Sequence, residues 1–266
     1  MFSFHLRYSD VERELEGVKE ALTCASHDVD IHILHLNSTG GMFQPQEAVN
    51  LLEAAKKRGV RVTYDLYPYT AWVSGLRKGR FDGDWRTQFR VGYERLRFPW
   101  RERPLSGEEF KRIWESGRNA NIIVDSIPSS TIDFFANETI APIGTDRAGF
   151  DHPRGIASFG KFLHEYANGS EPAFALAVYR FSTAPAEWFS QYIPDLSERG
   201  RIQVGSYADL VLWDIDEIKD NAGYGNPAKT SGVVALFVNG TPLILDGHEV
   251  NQENPPGRWL KGRFAK

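Results

Sequence analysis

Three polar residues stand where short apolar runs of this chain end. His5 closes the run Phe2–Arg7, His35 closes Asp30–Leu36 (DIHILHL), and Asp146 follows Ile140–Gly144. Neutral imidazole and carboxylate are the donors that zinc and similar divalent ions prefer. A metal bound this way lowers the pKa of its water to about 7 and so supplies hydroxide near neutral pH. A carboxylate beside that water takes its proton and returns it to a leaving group. Two histidines and one aspartate at three strand ends therefore suit half of a hydrolase site. A histidine in a strand serves equally as a hydrogen-bonded structural residue, and spacing alone leaves both readings open.

The elements that must carry these residues alternate strand and helix over the first 165 positions. After the first run, Ser9 with Glu12 three residues on has the form of a capping box opening a helix to about Ala25. Asp30–Leu36 reads as a buried strand. Pro45 suits a first helical position, the set Ala48, Val49, Leu51, Leu52 and Ala55 keeps helical spacing, and Gly59 ends that helix. Val60–Leu66 (VRVTYDL) returns to strand. Two βαβ units in series predict a parallel sheet covered by helices, with chemistry at the carboxyl ends of its strands.

Residues 72–105 break the rhythm with Arg, Trp, Phe and Gly, as a long insertion or lid does. Ser106 with Glu109 predicts a short helix, and Asn121–Asp125 (NIIVD) a further strand. Helices are expected over Ile156–Ala167 and over Pro172–Phe189, the latter broken at Ser182-Thr-Ala-Pro185. From Gly200 the chain turns to short strands: GRIQVG, ADLVLWD, VVALFVNG and TPLIL.

The chain has 266 residues, 41 % of them hydrophobic and 25 % charged, with a formal net charge of −4. That is the composition of an ordinary globular protein, and it disfavours general nucleic-acid and membrane-surface binding. No apolar stretch approaches the ~18–20 residues that span a bilayer. Cys24 is the single cysteine, which excludes an internal disulfide and a multi-cysteine zinc module. It is expected to pack within the first helix. A cytoplasmic enzyme fits these features.

The segments Asp65-Leu-Tyr-Pro-Tyr69, Ile143-Gly-Thr-Asp146, His152-Pro-Arg154 and Gly200-Arg-Ile-Gln-Val-Gly205-Ser-Tyr-Ala-Asp-Leu-Val-Leu-Trp-Asp214, added to the two strand-end histidines, form a pattern. It resembles the carboxyl-terminal part of the amidohydrolase superfamily, specifically the N-acyl-D-amino-acid deacylases (D-aminoacylases). The resemblance implies an α/β fold: a partial TIM-type (β/α) barrel corresponding to strands 5–8, followed by part of a small β-sandwich. Residues 1–199 would form the barrel half, with an insertion near 72–120, and 200–266 the returning half of the sandwich. His5 and His35 resemble the metal ligands of the fifth and sixth strands. Asp146 resembles the eighth-strand aspartate that acts as general base and then acid. Arg154 resembles the arginine that holds the substrate's carboxylate through two parallel hydrogen bonds. Tyr67 or Tyr69, with Tyr67 preferred, resembles the tyrosine that shares that task or polarises the amide carbonyl, and His152, near Asp146, is placed to touch substrate or the groups behind it.

The implied reaction is hydrolysis of a non-peptide carbon–nitrogen bond in a small N-acylated amino acid, with one or two Zn2+ ions. Two departures stand out. D-aminoacylases commonly carry a lysine two residues after the sixth-strand histidine, where this chain has Asn37, so an acidic or peptide-like substrate stays open. The chain also lacks a His-x-His on a first strand, and reads as a fragment or as a chain needing a partner or a missing amino-terminal half for its further metal ligands. An inactive remnant, or a dihydroorotase- or hydantoinase-like opener of cyclic amides, are the competing readings. His32 is expected to face away and pack against a helix, His27, His164 and His248 to lie on the surface, and Gly40-Gly41 to form a mobile loop.

Overall fold

The computed structural model describes residues 1–25, 29–146, 152–167 and 169–263. They divide into two compact units: Met1–Ser158 with Ala222–Ala228, and the remainder. His27 lies outside the described residues.

The first unit is built on a parallel sheet, in the order β1 (Phe2–Phe4), β2 (Ile31–Ile33), β3 (Val62–Tyr64). Register pairs Phe2 with Ile31 and Ile31 with Val62. A single parallel bridge, Leu66 to Ile143, adds a fourth position beside β3. The helices α1 (Glu14–Cys24) and α2 (Pro45–Lys57) fill the crossovers and pack on each other and on the sheet. Ile31, Ile33, Val62, Val18, Leu52 and Ala55 are buried between these layers. A parallel strand covered on both faces demands such a continuous apolar run. The overall class is thus α/β.

Helix α1 starts later than the Ser9/Glu12 pattern predicts. The N–H of Val11 donates to the carbonyl of Gln88 (3.0 Å), which holds that residue out of the helix. Asp10 takes over the start: its Oδ1 accepts from the N–H of Arg13 (3.1 Å) and its carbonyl from the N–H of Glu14 (2.9 Å). Cys24 is exposed at the end of α1 instead of packed inside. Gly40 and Gly41 are buried, not a mobile loop. A Cβ at Gly40 would lie 2.5 Å from side-chain carbons of both Leu6 and Val18, so glycine is what lets this turn close against α1.

The segment that lacks periodicity has a fold of its own. β4 (Ala71–Gly75), β5 (Leu96–Arg97) and β6 (Asn121–Asp125) form an antiparallel sheet in the order β4-β6-β5, with α3 (Trp85–Phe89) and α4 (Gly107–Glu115) between them. The NIIVD strand therefore does not extend the parallel sheet; it is the centre of this second one. Trp72, Phe81, Trp85, Phe89 and Phe110 are buried and pack ring against ring at 5.1–6.0 Å between centroids. Aromatic burial supplies this region's core without a strand or helix period. Trp100, in contrast, is 70 % exposed. Ser106 and Glu109 form the capping box that opens α4. After β6 the chain forms α5 (Ser129–Asn137), which packs on α2.

The second unit contains α6 (Ser158–Phe162), α7 (Glu171–Val178), α8 (Ala184–Ser190) and the antiparallel sheet β10-β9-β8-β7. Those strands are β7 (Leu210–Trp213), β8 (Val233–Val238), β9 (Thr241–Leu245) and β10 (His248–Glu249). The break expected at Ser182–Pro185 is instead a π-helical turn, Tyr179–Thr183, that joins α7 to α8. A wider turn accommodates Pro185 without interrupting the helix. GRIQVG forms no strand, and Ile202 in it is 93 % exposed. His164 and His248 are exposed, as expected. Among the described residues no helix is long and apolar enough to cross a membrane.

Candidate active site

The site assembles where β1, β2, β3 and the 143 bridge end. His5 follows β1 directly, and its Nδ1 lies 3.1 Å from the carbonyl of Leu6. A carbonyl only accepts, so Nδ1 carries the proton and Nε2 keeps its lone pair. His35 lies just beyond β2 in a left-handed conformation, φ 34° and ψ 62°. Asp65 stabilises this turn: its Oδ1 accepts from the N–H of His35 at 2.8 Å while its Oδ2 lies 2.7 Å from Nε2 of His32. His32 is thus hydrogen-bonded to a carboxylate just beyond the neighbouring strand, not packed against a helix. Ser38 Oγ stands 2.9 Å from Nδ1 of His35 and donates to the carbonyl of the same residue at 3.2 Å. We assign the His35 proton to Nδ1 on that pattern, which again leaves Nε2 bare.

The two imidazole rings are 4.9 Å apart, nearly edge to face. Burial, then the neighbouring charge of Arg80, lowers the pKa of His5 below its ordinary value. Burial, then His5 and Arg154, pushes His35 down to about 3. Both rings are therefore neutral nitrogen donors at physiological pH, the state a divalent metal requires. Asp146 Oδ2 lies 3.6 Å from Nε2 of His35 and 2.7 Å from Nη2 of Arg154. Arg154 also donates from Nε to the Asp146 carbonyl (3.2 Å) and from Nη1 to the Tyr67 hydroxyl (3.2 Å). The guanidinium thus brackets Asp146 on one side and reaches Tyr67 on the other. Among the described residues no group of three or more His, Cys, Asp or Glu is placed so that it could hold a metal ion.

The remaining candidates form the layer behind. Asn37 has no exposed surface: its amide donates to the Tyr67 carbonyl (2.9 Å) and accepts from the Tyr67 N–H (3.2 Å). Its two hydrogen bonds fix the backbone of Tyr67 and leave nothing for a ligand. His152 is buried, accepts at Nδ1 from the N–H of Arg154 (3.1 Å) and donates from Nε2 to the Ala71 carbonyl (2.6 Å). Burial and Arg154 hold its pKa well below the usual value. Its ring packs against Tyr67, Tyr69 and Tyr224. His152 therefore sets where Arg154 begins.

A cavity of about 380 Å³ opens in front of these groups. His5, His35 and Arg154 contribute to its wall, and so do Trp72, Lys78 and Arg80 from the insertion. The sequence gives no periodic signal for the last three. Asp65 stands at a strand end as His5 and His35 do, so the same strand-end rule points to it.

No protein-family model matches the chain. Among curated proteins it is 29 % identical over 235 residues to the D-aminoacylase of Alcaligenes xylosoxydans xylosoxydans, covering 81 % of this chain and 46 % of the relative. It is 27 % identical over 276 residues to the N-acyl-D-aspartate deacylase of the same organism, covering 96 % and 52 %. Among solved structures, a D-aminoacylase crystal structure that defines a subset of amidohydrolases superimposes with a TM-score of 0.75 at 24 % identity, over 94 % of this chain and 54 % of that one. The N-acyl-D-glutamate deacylase of Bordetella bronchiseptica, complexed with zinc and a phosphonate inhibitor, gives 0.69 at 19 % identity, over 93 % and 54 %. The chain spans about half the length of the curated relatives it matches. These curated relatives and structures are thus named D-aminoacylases and N-acyl-D-amino-acid deacylases.

Proposed function

We propose that this chain carries the second half of a metal-dependent amidohydrolase site that deacylates N-acyl-D-amino acids. The observation that supports it most is the pair of neutral imidazoles, each with its Nδ1 proton engaged locally and its Nε2 lone pair left over, beside a carboxylate. The parallel sheet would then be strands 5–8 of a (β/α) barrel, and β7–β10 part of the small sandwich. His5 and His35 would hold zinc, with Asp146 in reach as a further oxygen donor. Zinc held there supplies Lewis acidity that polarises a carbonyl and makes hydroxide available near neutral pH. The two imidazole nitrogens alone fall short of the three protein donors of a catalytic zinc site, so a further protein donor would be needed.

The chain's own groups divide the remaining work. Asp146 Oδ2 takes the proton of the attacking water and returns it to the departing nitrogen, since its position beside His35 puts it next to the reacting atoms. Arg154 holds Asp146 through one contact to its carboxylate and one to its backbone carbonyl, and its Nη1 with the Tyr67 hydroxyl offers adjacent donors to the substrate's α-carboxylate. Asn37 and His152 position Tyr67 and Arg154 respectively, and Tyr69 packs on His152.

Zinc content by elemental analysis, together with amine release from N-acetyl-D-amino acids, tests this reading. His35→Ala is expected to lose both metal and turnover. Asp146→Asn is expected to lower turnover at least 100-fold, the scale of a lost acid–base group. Full activity in both variants would overturn the mechanism.

A further inference from the structure

Residues Ala222–Ala228 belong to the first unit, whereas their neighbours on both sides in the chain belong to the second. They form a strap with a paired stem: the N–H of Ser231 donates to the carbonyl of Lys219 (3.1 Å), and the Asn221 amide donates to that of Lys229 (3.1 Å). At the tip, Gly223 and Asn226 exchange backbone hydrogen bonds of 2.9 and 3.2 Å around Tyr224 and Gly225. Gly225 is left-handed, φ 67°, and a Cβ on it would lie 2.4 Å from the carbonyl oxygen of Pro99. Glycine therefore serves both the turn and its seat on the insertion.

The tip delivers Tyr224 to the layer behind Arg154. Its ring meets that of His152 at 68°, with 4.9 Å between centroids. The Arg97 guanidinium lies 4.4 Å over it, as that of Arg80 lies 4.5 Å over Trp72. Tyr224 is half-buried and His152 fully so, which makes this ring the cover between the imidazole and water. The other groups facing His152 are the rings of Tyr67 and Tyr69 and the charges of Arg154 and Arg97. Burial and those two cations hold the imidazole neutral. Neutrality matters because Nδ1 accepts from the Arg154 N–H. A proton on Nδ1 would turn that acceptor into a donor facing a donor. Arg154 would then lose the bond at which its short helical turn, Pro153–Gly155, begins.

We propose that Tyr224 is a positioning residue: by covering the His152 ring it keeps Nδ1 an acceptor and thereby fixes the backbone from which Arg154 reaches Asp146 and the Tyr67 hydroxyl. Resting on the deacylase reading, this makes the grip on the substrate's α-carboxylate depend on a strap far along the chain from the barrel strands.

The test is NMR of the full chain from pH 5 to pH 8, with the His152 ring signals identified by their absence in His152→Asn. In the parent they are expected not to titrate. In Tyr224→Ala, and in Gly225→Ala, which unseats the tip, they are expected to titrate with a midpoint of about 6–7, the ordinary histidine range. Tyr224→Phe keeps the cover and is expected to match the parent. The Arg154 Nε–H, which donates to the Asp146 carbonyl, reports the consequence. At pH 5.5 its hydrogen exchange in Tyr224→Ala is expected to be about 10-fold faster than in the parent, the scale of one lost hydrogen bond, and at pH 8 to equal the parent's. A strap that merely adds stability would change that ratio equally at both pH values. A titrating His152 in the parent, a non-titrating one in both disrupting variants, a Phe variant that behaves as the Ala variant, or an exchange ratio independent of pH would each overturn the proposal. Amine release from N-acetyl-D-amino acids is scored separately: its absence beside the expected titrations sinks the deacylase reading and leaves the assignment of Tyr224 standing.

Discussion

In the parallel sheet the strands are short, β2 wholly buried and β1 largely exposed, and each candidate side chain waits until its strand has ended: His5 after Phe4, His35 after Ile33, Asp65 after Tyr64. In the antiparallel insertion the cavity is met from within β4 and from the turn that follows it, through Trp72, Lys78 and Arg80. The first region presents neutral nitrogens and carboxylates, the second aromatic faces and free cations. Topology alone places groups at the ends of parallel strands, whereas the insertion places its groups by packing rings around them. The two walls of the cavity therefore rest on different physical supports, and one can be altered while the other persists.

The strongest way to break this separation is to hollow out the insertion. Phe110→Ala removes a ring packed against Phe81, Trp85 and Tyr93 and is expected to cost about 3–4 kcal/mol. Hydrogen exchange should accelerate in β4 and β6 while β2 and β3 keep their protection; equal loss in both regions would show that they unfold as one. In the parallel region, Asp65→Ala removes the acceptor of both His32 and the His35 N–H. A loss of about 2–3 kcal/mol is expected in urea denaturation, together with weakened zinc uptake.

Two glutamates sharpen the contrast. Glu14 is buried in the parallel region and accepts from the N–H groups of Met42 (2.7 Å) and Phe43 (3.1 Å). Burial nevertheless raises its pKa from the ordinary carboxylate range to about 7. Between those values the folded chain holds more protons than the unfolded one, so stability declines as pH rises through that window and is flat above it. Glu14→Gln should abolish the decline and gain up to about 2 kcal/mol at pH 8 relative to pH 5. Thermal melts across that range decide; a variant with the parent's slope would exclude Glu14 as its source. Glu109, in the insertion, moves the opposite way: Arg103, the Ser106 N–H and Arg101 hold its carboxyl well below the usual range. The smallest effect belongs to its partner: Ser106→Ala removes the cap of α4 and should cost about 1 kcal/mol by the same melts.

The parallel half was legible because its signals are local and repeated. Apolar runs of strand length alternate with a helical period, Pro45 and Gly59 mark the limits of α2, and polar residues stand at strand ends. The start of α1 was misread because Val11 bonds to Gln88, more than seventy positions away, and no local pattern records that. NIIVD was recognisable as a strand, but its partners were not, since antiparallel pairing with β4 and β5 depends on how the aromatic core closes. The same holds for Arg80: nothing in the run Arg77-Lys-Gly-Arg80 distinguishes the residue that stacks on Trp72 from a surface charge. Asn37 was legible as a missing cation, but the two hydrogen bonds it gives Tyr67 instead were not.

The contact between Arg80 and Trp72 also makes the cavity observable. Indole emission responds to a charge held against the ring, and 4.5 Å places the guanidinium within that influence. Displacement or neutralisation of that guanidinium is expected to shift the fluorescence of Trp72, so the cavity wall carries an optical indicator requiring neither a label nor a chemical reaction.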